Sequence, residues 1–244
     1  MQLHWPSGHA ALSQSLRRLR YLGWSRYCPL CRSHLRLFHP HGVVQRPNAV
    51  CPVCLSRDRH RLAWLWLHER TAIGKKPMRL LHVAPEAVVA KRLQALPNLH
   101  YISGDIVHHA HVRMDVCKLP FAEATFDFVY CSHVLNMVPD DTPAIAELLR
   151  ILRPGGVVLL QVPRDQSDQT IELSPQSSRS ERLAALGDAD MYRRYGRSEL
   201  AQRMQRAGFA AEAVAWFQNF EPWQQLRLGL IDEPLHIGTK PLTA

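Results

Sequence analysis

Apolar residues in this chain gather into short β-rich runs separated by stretches with helical spacing, and the clearest series lies between Met114 and Pro163. Phe126, Phe128, Val129 and Tyr130 crowd into a run that predicts a buried strand over 126–131, and residues 157–162 predict a second. Between them Ile145, Leu148, Leu149 and Leu152 recur along one face of a helix. Asp141 or Thr142 is placed to cap it, Pro143 suits its first position, and Pro154-Gly155-Gly156 is expected to end it. Two strands joined through such a helix run parallel, with a right-handed crossover.

The same pattern predicts strands at 79–84 and 101–105 with a helix at 86–96 between them. A helix over 57–73 is expected, capped by Ser56, stopped by Gly74 and turning Leu62, Leu65 and Trp66 inward. Near the start, Leu12, Leu16 and Leu19 share a helical face, with Arg17, Arg18 and Arg20 on others. That predicts a short amphipathic helix over 10–22 packed on its neighbour, a membrane-surface helix being the other reading. Further on, a helix is expected from Ser198 to 207, ended by Gly208, and strands at 211–217 and 234–239. Residues 164–190 are polar, and read either as a lid or as a mobile loop.

Charge is unevenly distributed. Residues 1–57 hold eight Arg and no Asp or Glu, which is +8 of the formal +9 and leaves +1 for the remainder. A basic module beside a neutral one suits an anionic partner such as RNA, unless it is a solvated basic face. At 244 residues the chain accommodates one α/β domain and a small module. No apolar run approaches the ~20 residues that span a bilayer, so a soluble protein is expected.

Of six cysteines, four form the pairs Cys28-Pro-Leu-Cys31 and Cys51-Pro-Val-Cys54, with nineteen residues between the pairs. Two thiolate pairs in tight turns can close a tetrahedral zinc site. Four thiolates leave no open position, so the metal is expected to be structural, supplying folding energy that so small a module lacks. A rubredoxin-like iron site or an oxidised dithiol pair is the alternative, and His34, His39 or His41 in the insert can replace a ligand. The grouping favours a reducing compartment, and a cytoplasmic location is expected.

The ordered series Asp115-Val116, Leu119-Pro120-Phe121, Phe126-Asp127, Cys131-Ser132-His133-Val134-Leu135, Glu147-Leu148 and Leu152-Arg153-Pro154-Gly155-Gly156 resembles the second half of a class I S-adenosylmethionine (SAM)-dependent methyltransferase. The second cysteine pair with Ser56, Asp58-Arg59-His60-Arg61 and the Leu/Trp run after it resembles a bacterial branch in which a zinc ribbon precedes that domain. The resemblance covers about residues 27–240. It implies a Rossmann-like seven-stranded α/β sheet, SAM as cofactor, and this division: 1–26 basic helix, 27–57 zinc ribbon, 58–76 linking helix, 77–244 methyltransferase domain. The last two strands then pair antiparallel.

What the resemblance implies for single residues follows the strand ends. Class I enzymes place a glycine-rich loop after the first strand, where the backbone approaches the methionine part of SAM. This chain has His82-Val83-Ala84-Pro85-Glu86 instead, a form shared with the zinc-ribbon branch. Ala84, Pro85 and Glu86 become cofactor candidates, with Glu86 facing the SAM amino group or else serving only the helix N-terminus. Asp105 is expected on the ribose hydroxyls, Asp115 on the adenine amino group and the Val116 N–H on a ring nitrogen. Cys131 and Ser132 line the cofactor edge, and His133 is the candidate base. Asn136, Met137 and Met191 depart from the Glu, His and His usual in relatives, and Arg193 and Tyr195 are candidates for the acceptor pocket. The expected function is methyl transfer to a small molecule, protein or RNA. A turnover-deficient relative that docks RNA or a protein through its basic ribbon is the alternative.

Overall fold

The computed structural model describes residues 10–42, 45–163 and 169–242, with side chains from residue 14 onward. Two compact units emerge: Met1–Thr71, Ala87–Arg92 and Trp216–Asp232 form one; Ala72–Glu86, Leu93–Ala215 and Glu233–Ala244 form the other. Among the described residues no helix is long and apolar enough to cross a membrane.

The first unit opens with helix α1 (Ala10–Arg20). Two antiparallel hairpins follow, β1 (Arg26–Cys28) with β2 (Ser33–Leu35) and β3 (His39–His41) with β4 (Arg46–Val50). The leucines expected to dock α1 do not do so: Leu16 is 65% and Leu19 72% exposed, and the side chain of Leu12 lies outside the described residues. Polar and backbone contacts hold the segment instead. Arg18 donates to Cys31 O at 3.1 Å, Arg36 N donates to Tyr21 O, and Gly23 lies so close to Arg36 that a Cβ would sit 2.7 Å from its Cα.

Helix α2 (Asp58–Arg70) starts one residue later and stops three earlier than the pattern predicts. Ser56 is not its cap: the hydroxyl lies 3.3 Å from both Cys28 Sγ and Cys54 Sγ. The chain turns extended at Thr71, whose hydroxyl bonds back to Leu67 O. Leu62 and Trp66 are buried as expected, but so are Arg61, Ala63, Trp64 and Leu67, while Leu65 is only half-buried. The last of the three pieces of chain in this unit carries the helix Pro222–Leu228, ended by Gly229 in the left-handed region at φ 57°. A Cβ there would lie 2.6 Å from the Phe38 ring and 2.8 Å from Arg61 Nη2, so the position takes only glycine.

The second unit is the expected seven-stranded sheet. Its strands are β5 (Met78–Val83), β6 (Leu99–Asp105), β7 (Val112–Arg113), β8 (Phe126–Ser132), β9 (Leu152–Gln161), β12 (Ala210–Val214) and β13 (Leu235–Thr239), in the order β12-β13-β9-β8-β5-β6-β7. The five from β9 to β7 run parallel, and β13 is antiparallel to both β9 and β12. The central strands are buried on both faces, which is why they read as unbroken apolar runs. Helices α4 (Thr142–Ile151) and α6 (Glu199–Arg206) alternate with them in sequence, while α3 (Ala87–Gln94), between β5 and β6 in the chain, falls mostly in the first unit. On one face Leu81, Val129, Val158 and Leu160 pack with Ile145, Leu148 and Met204 into the main core.

Two boundaries in this unit differ from the pattern. Helix α4 ends at Ile151, and Pro154-Gly155-Gly156 form a bulge within β9 where the pairing with β8 shifts register. Gly155 N donates to Lys240 O and Lys240 N to Gly156 O, so a distant strand end captures the turn. After β12 the chain leaves the sheet, and Trp216–Asn219 form a 3-10 turn where a longer strand is expected. Of the polar insertion, 164–168 lie outside the described residues. The rest folds into β10 (Ile171–Glu172), α5 (Arg179–Leu186) and β11 (Arg193–Arg194), with β10 paired to β11.

Candidate functional site

The parallel strands bring their carboxyl ends to one edge, where ligands of open α/β sheets bind. Strand β5 ends at Val83, and Ala84 turns the chain at φ 49° while its N–H donates to Gly104 O at 2.8 Å. An alanine carries this left-handed turn, at the position where the resemblance leads one to expect glycine. Glu86 is the N-cap of α3, yet its side chain makes no cap hydrogen bond. Its Oε2 lies 3.0 Å from Nε2 of His82, a fully buried residue of β5. Nδ1 of His82 lies 3.0 Å from the Tyr101 hydroxyl on β6. Burial pushes the Tyr101 phenol pKa above its ordinary value, and the Glu86 charge adds to this.

Asp105 ends β6 and is 8% exposed. Its Oδ1 accepts from Val107 N and His108 N, both at 2.7 Å. Among the described residues its Oδ2 takes no hydrogen bond. The chain comes back alongside through Met114 N, which donates to Asp105 O, and reaches Asp115, whose Oδ1 accepts from Cys117 N at 2.9 Å. Asp115 is exposed and Val116 buried. His111, one of three histidines in this loop, is tied to Ser103 through its Nδ1, at 3.1 Å from the backbone N and 3.0 Å from the hydroxyl.

At the end of β8 the Cys131 thiol is part of the core, and burial pushes its pKa up. Only the backbone of Cys131 is therefore left to line the edge. The Ser132 hydroxyl is buried without a partner among the described residues. His133 sits at φ 57°, and its Nε2 is 3.5 Å from Oε1 of Glu233, a carboxylate with a side chain only 4% exposed. Asn136 is fully buried with neither amide atom paired among the described residues, Met137 is 43% exposed and Met191 7%.

Arg193 and Tyr195 lie away from any open edge. Arg193 is fully buried and donates to Leu135 O, Val138 O and Pro139 O, each at 2.7 Å, and to Glu172 Oε1 at 2.7 Å. Tyr195 donates to Asp141, which Arg203 also holds at 2.8 Å, and Arg203 reaches Glu172 at 2.6 Å. Burial works to raise the Glu172 pKa, but the hydrogen bonds from Arg203 and Arg193 outweigh it and hold it below the ordinary glutamate value. These residues brace the loop after β8 rather than face a ligand.

In the first unit the four cysteines converge. Cys28 and Cys54 Sγ are 3.6 Å apart, Cys31 and Cys51 Sγ 3.7 Å, and all four lie within 4.8 Å of one another. A metal–thiolate tetrahedron with bonds of ~2.3 Å has edges of about 3.8 Å, and a disulfide would be near ~2.05 Å, so the arrangement fits a four-thiolate metal site. No histidine joins the cluster among the described residues. Ser33 Oγ is 3.2 Å from Cys31 Sγ, adding to the hydroxyl contacts of Ser56. Arg61, fully buried, bonds the carbonyls of Asn48, Ala49, Ser56, Leu228 and Gly229. Burial lowers its pKa, while the charges of Cys28, Asp58, Cys51 and Cys54 oppose that. A fixed cation beside four thiolates offsets the net negative charge such a metal site carries.

Sequence reasoning passed over His82, Tyr101, Glu233 and Arg61. A polar residue interrupting the apolar strand Met78–Val83 was the signal for His82, and an arginine amid the aromatic run of α2 was the signal for Arg61. Glu233 gave none, since it meets His133 only through the fold.

Seven strands in this order and these directions make the sheet of the class I SAM-dependent methyltransferases. Residues 79–160 match the family described as "Methyltransferase domain". A demethylmenaquinone methyltransferase of a Mycobacterium species is 31% identical over 142 residues, 52% of this chain and 56% of that protein. The curated relatives it matches are spanned only in part, from 13% to 56% of their length. Among solved structures, a chain of the complex between the Haloferax volcanii Trm112 methyltransferase activator and a methyltransferase superposes with a TM-score of 0.53 at 14% identity, covering 75% of this chain and 91% of that one. The SAM-dependent methyltransferase of Mesorhizobium loti gives 0.51 at 15% identity, covering 73% and 98%.

Proposed function

We propose that the chain is a SAM-dependent methyltransferase, with residues 77–244 as its catalytic domain and the cysteine module, 27–57, holding a structural zinc ion. The observation that carries this reading is the carboxylate of Asp105. One oxygen is fastened to the loop by two backbone N–H groups, and among the described residues Oδ2, at the end of a parallel strand, takes no hydrogen bond and would accept from a ligand diol. Asp115 and the Val116 N–H would take the adenine edge. Ala84 and Pro85 shape the turn beside the methionine part, and Glu86 receives its ammonium group. The backbone of Cys131 and the hydroxyl of Ser132 complete the edge.

Bound SAM supplies a methyl carbon already activated by its sulfonium. The residues of this chain have chiefly to orient the two reactants and exclude water. His133, whose Nε2 lies 3.5 Å from Glu233, would take a proton from the acceptor, which is a small molecule, a protein or RNA. The acid-free segment 1–57 supplies the cationic surface that an RNA acceptor needs. Zinc suits the cysteine cluster because four thiolates fill its tetrahedron and leave no position for a substrate water.

Isothermal titration of the purified protein with S-adenosylhomocysteine tests the reading. Binding that Asp105→Ala abolishes supports it. Absence of heat from the wild-type protein would leave only a methyltransferase scaffold.

A further inference from the structure

Glu86 is an acid at a helix start that does not serve the helix. An N-cap glutamate ordinarily lets its carboxylate meet the first backbone N–H groups, but this one makes no cap bond and turns back to a histidine four residues earlier on β5. That histidine is fully buried in a strand whose neighbours Leu80, Leu81 and Val83 are apolar. An imidazole in such a place costs stability unless both nitrogens are bonded, and both are: Nε2 to Glu86 and Nδ1 to the Tyr101 hydroxyl, each at 3.0 Å.

The proton positions follow from donor chemistry. A carboxylate only accepts, so Nε2 carries the hydrogen. With one hydrogen on the ring, Nδ1 is then the acceptor and the tyrosine hydroxyl the donor. The Tyr130 ring at 4.8 Å and the Tyr101 ring edge-on at 5.9 Å flank the imidazole. Tyr101, His82 and Glu86 thus form one chain, anchored in two adjacent strands and ending in a carboxylate 16% exposed beside the Ala84 turn.

We propose that His82 is a positioning residue which, itself fixed by Tyr101, holds Glu86 in the rotamer that receives the α-ammonium group of the cofactor. This role rests on the SAM reading above. A free glutamate loses rotamer freedom when it takes up a ligand, and the relay removes that cost in advance. His82 acts on one end of the cofactor only, the amino-acid tail. Its loss should therefore discriminate between ligands that have the tail and ligands that lack it.

The test measures dissociation constants of two probes, S-adenosylhomocysteine and 5′-methylthioadenosine, for the metal-loaded wild-type protein and the variants His82→Phe, His82→Gln and Tyr101→Phe. Loss of a hydrogen bond to a charged group predicts that His82→Phe weakens S-adenosylhomocysteine about tenfold or more. Methylthioadenosine should change less than about twofold. His82→Gln, which keeps an N–H for Glu86, should recover most of the loss. Equal weakening of both probes, or of neither, overturns the role. Tyr101→Phe deletes one hydroxyl and is the variant to read if His82→Phe does not fold; unchanged affinity for S-adenosylhomocysteine in it overturns the relay. A wild-type protein that binds neither probe overturns the cofactor reading and this role with it, whereas tight wild-type binding with indifferent variants overturns this role alone.

Discussion

At the scale of single residues, the strand ends concentrate backbone and burial costs. Ala84 and His133 both adopt φ near +50°, a region that costs an L residue roughly 1–2 kcal/mol. Strain of this kind persists where the surroundings over-determine it, often beside functional edges. His236 shows a different cost. It is 1% exposed on β13, and burial lowers its pKa to about 4. The folded state therefore prefers the neutral ring, and its contribution is fully present above the unfolded value of ~6.5. As pH falls toward 4 the unfolded chain binds the extra proton, so the contribution is lost. Chemical denaturation at pH 7 and pH 5 should show it: in His236→Gln the fall in stability between the two should shrink by about 2 kcal/mol relative to wild type.

At the scale of elements, the insertion after β9 is a brace. Strands β10 and β11 bring Glu172 and Arg193 against the loop that follows β8, and Arg203 of α6 closes the ring through Asp141. Arg193→Met strips the Val138 and Pro139 carbonyls of this donor and leaves Leu135 O with only the 3.4 Å contact from the Tyr195 hydroxyl, and should lower unfolding stability by about 3 kcal/mol and speed hydrogen exchange at 135–141. Arg193→Lys should not rescue it, because one ammonium cannot serve the planar fork of contacts. None of this was legible in the polar composition of 164–190. The seven-strand sheet was legible, because parallel strands buried on both faces leave unbroken apolar runs. Errors fell where a local signal met a distant partner. Ser56 has the position and chemistry of a helix cap but is drawn to thiols, and Pro154-Gly155-Gly156 punctuates a helix on paper while Lys240 pulls it into a sheet. For the candidate site, the strand-end carboxylates could be named from motif order alone. His82 and Glu233 could not, since burial and approach in space single them out.

At the scale of the molecule, the cysteine unit draws on three pieces of chain, with Arg61 joining the carbonyls around the thiols to those of Leu228 and Gly229. Arg70 lies 4.8 Å from the Trp216 ring in the same unit. Removing the metal with a strong chelator should therefore raise hydrogen exchange at 26–57 and 216–232 together, and leave the sheet strands β5, β8 and β9 protected. Exchange confined to 26–57 would show that the later segment holds independently. The reach of Arg61 also bears on how the protein is made. Leu228 follows it by 167 residues, so on the ribosome this guanidinium exchanges water for its last two carbonyl partners only late in translation. A nascent chain can gather its four thiols early, but the arginine packed over their module completes its set of carbonyls only once Gly229 has been made.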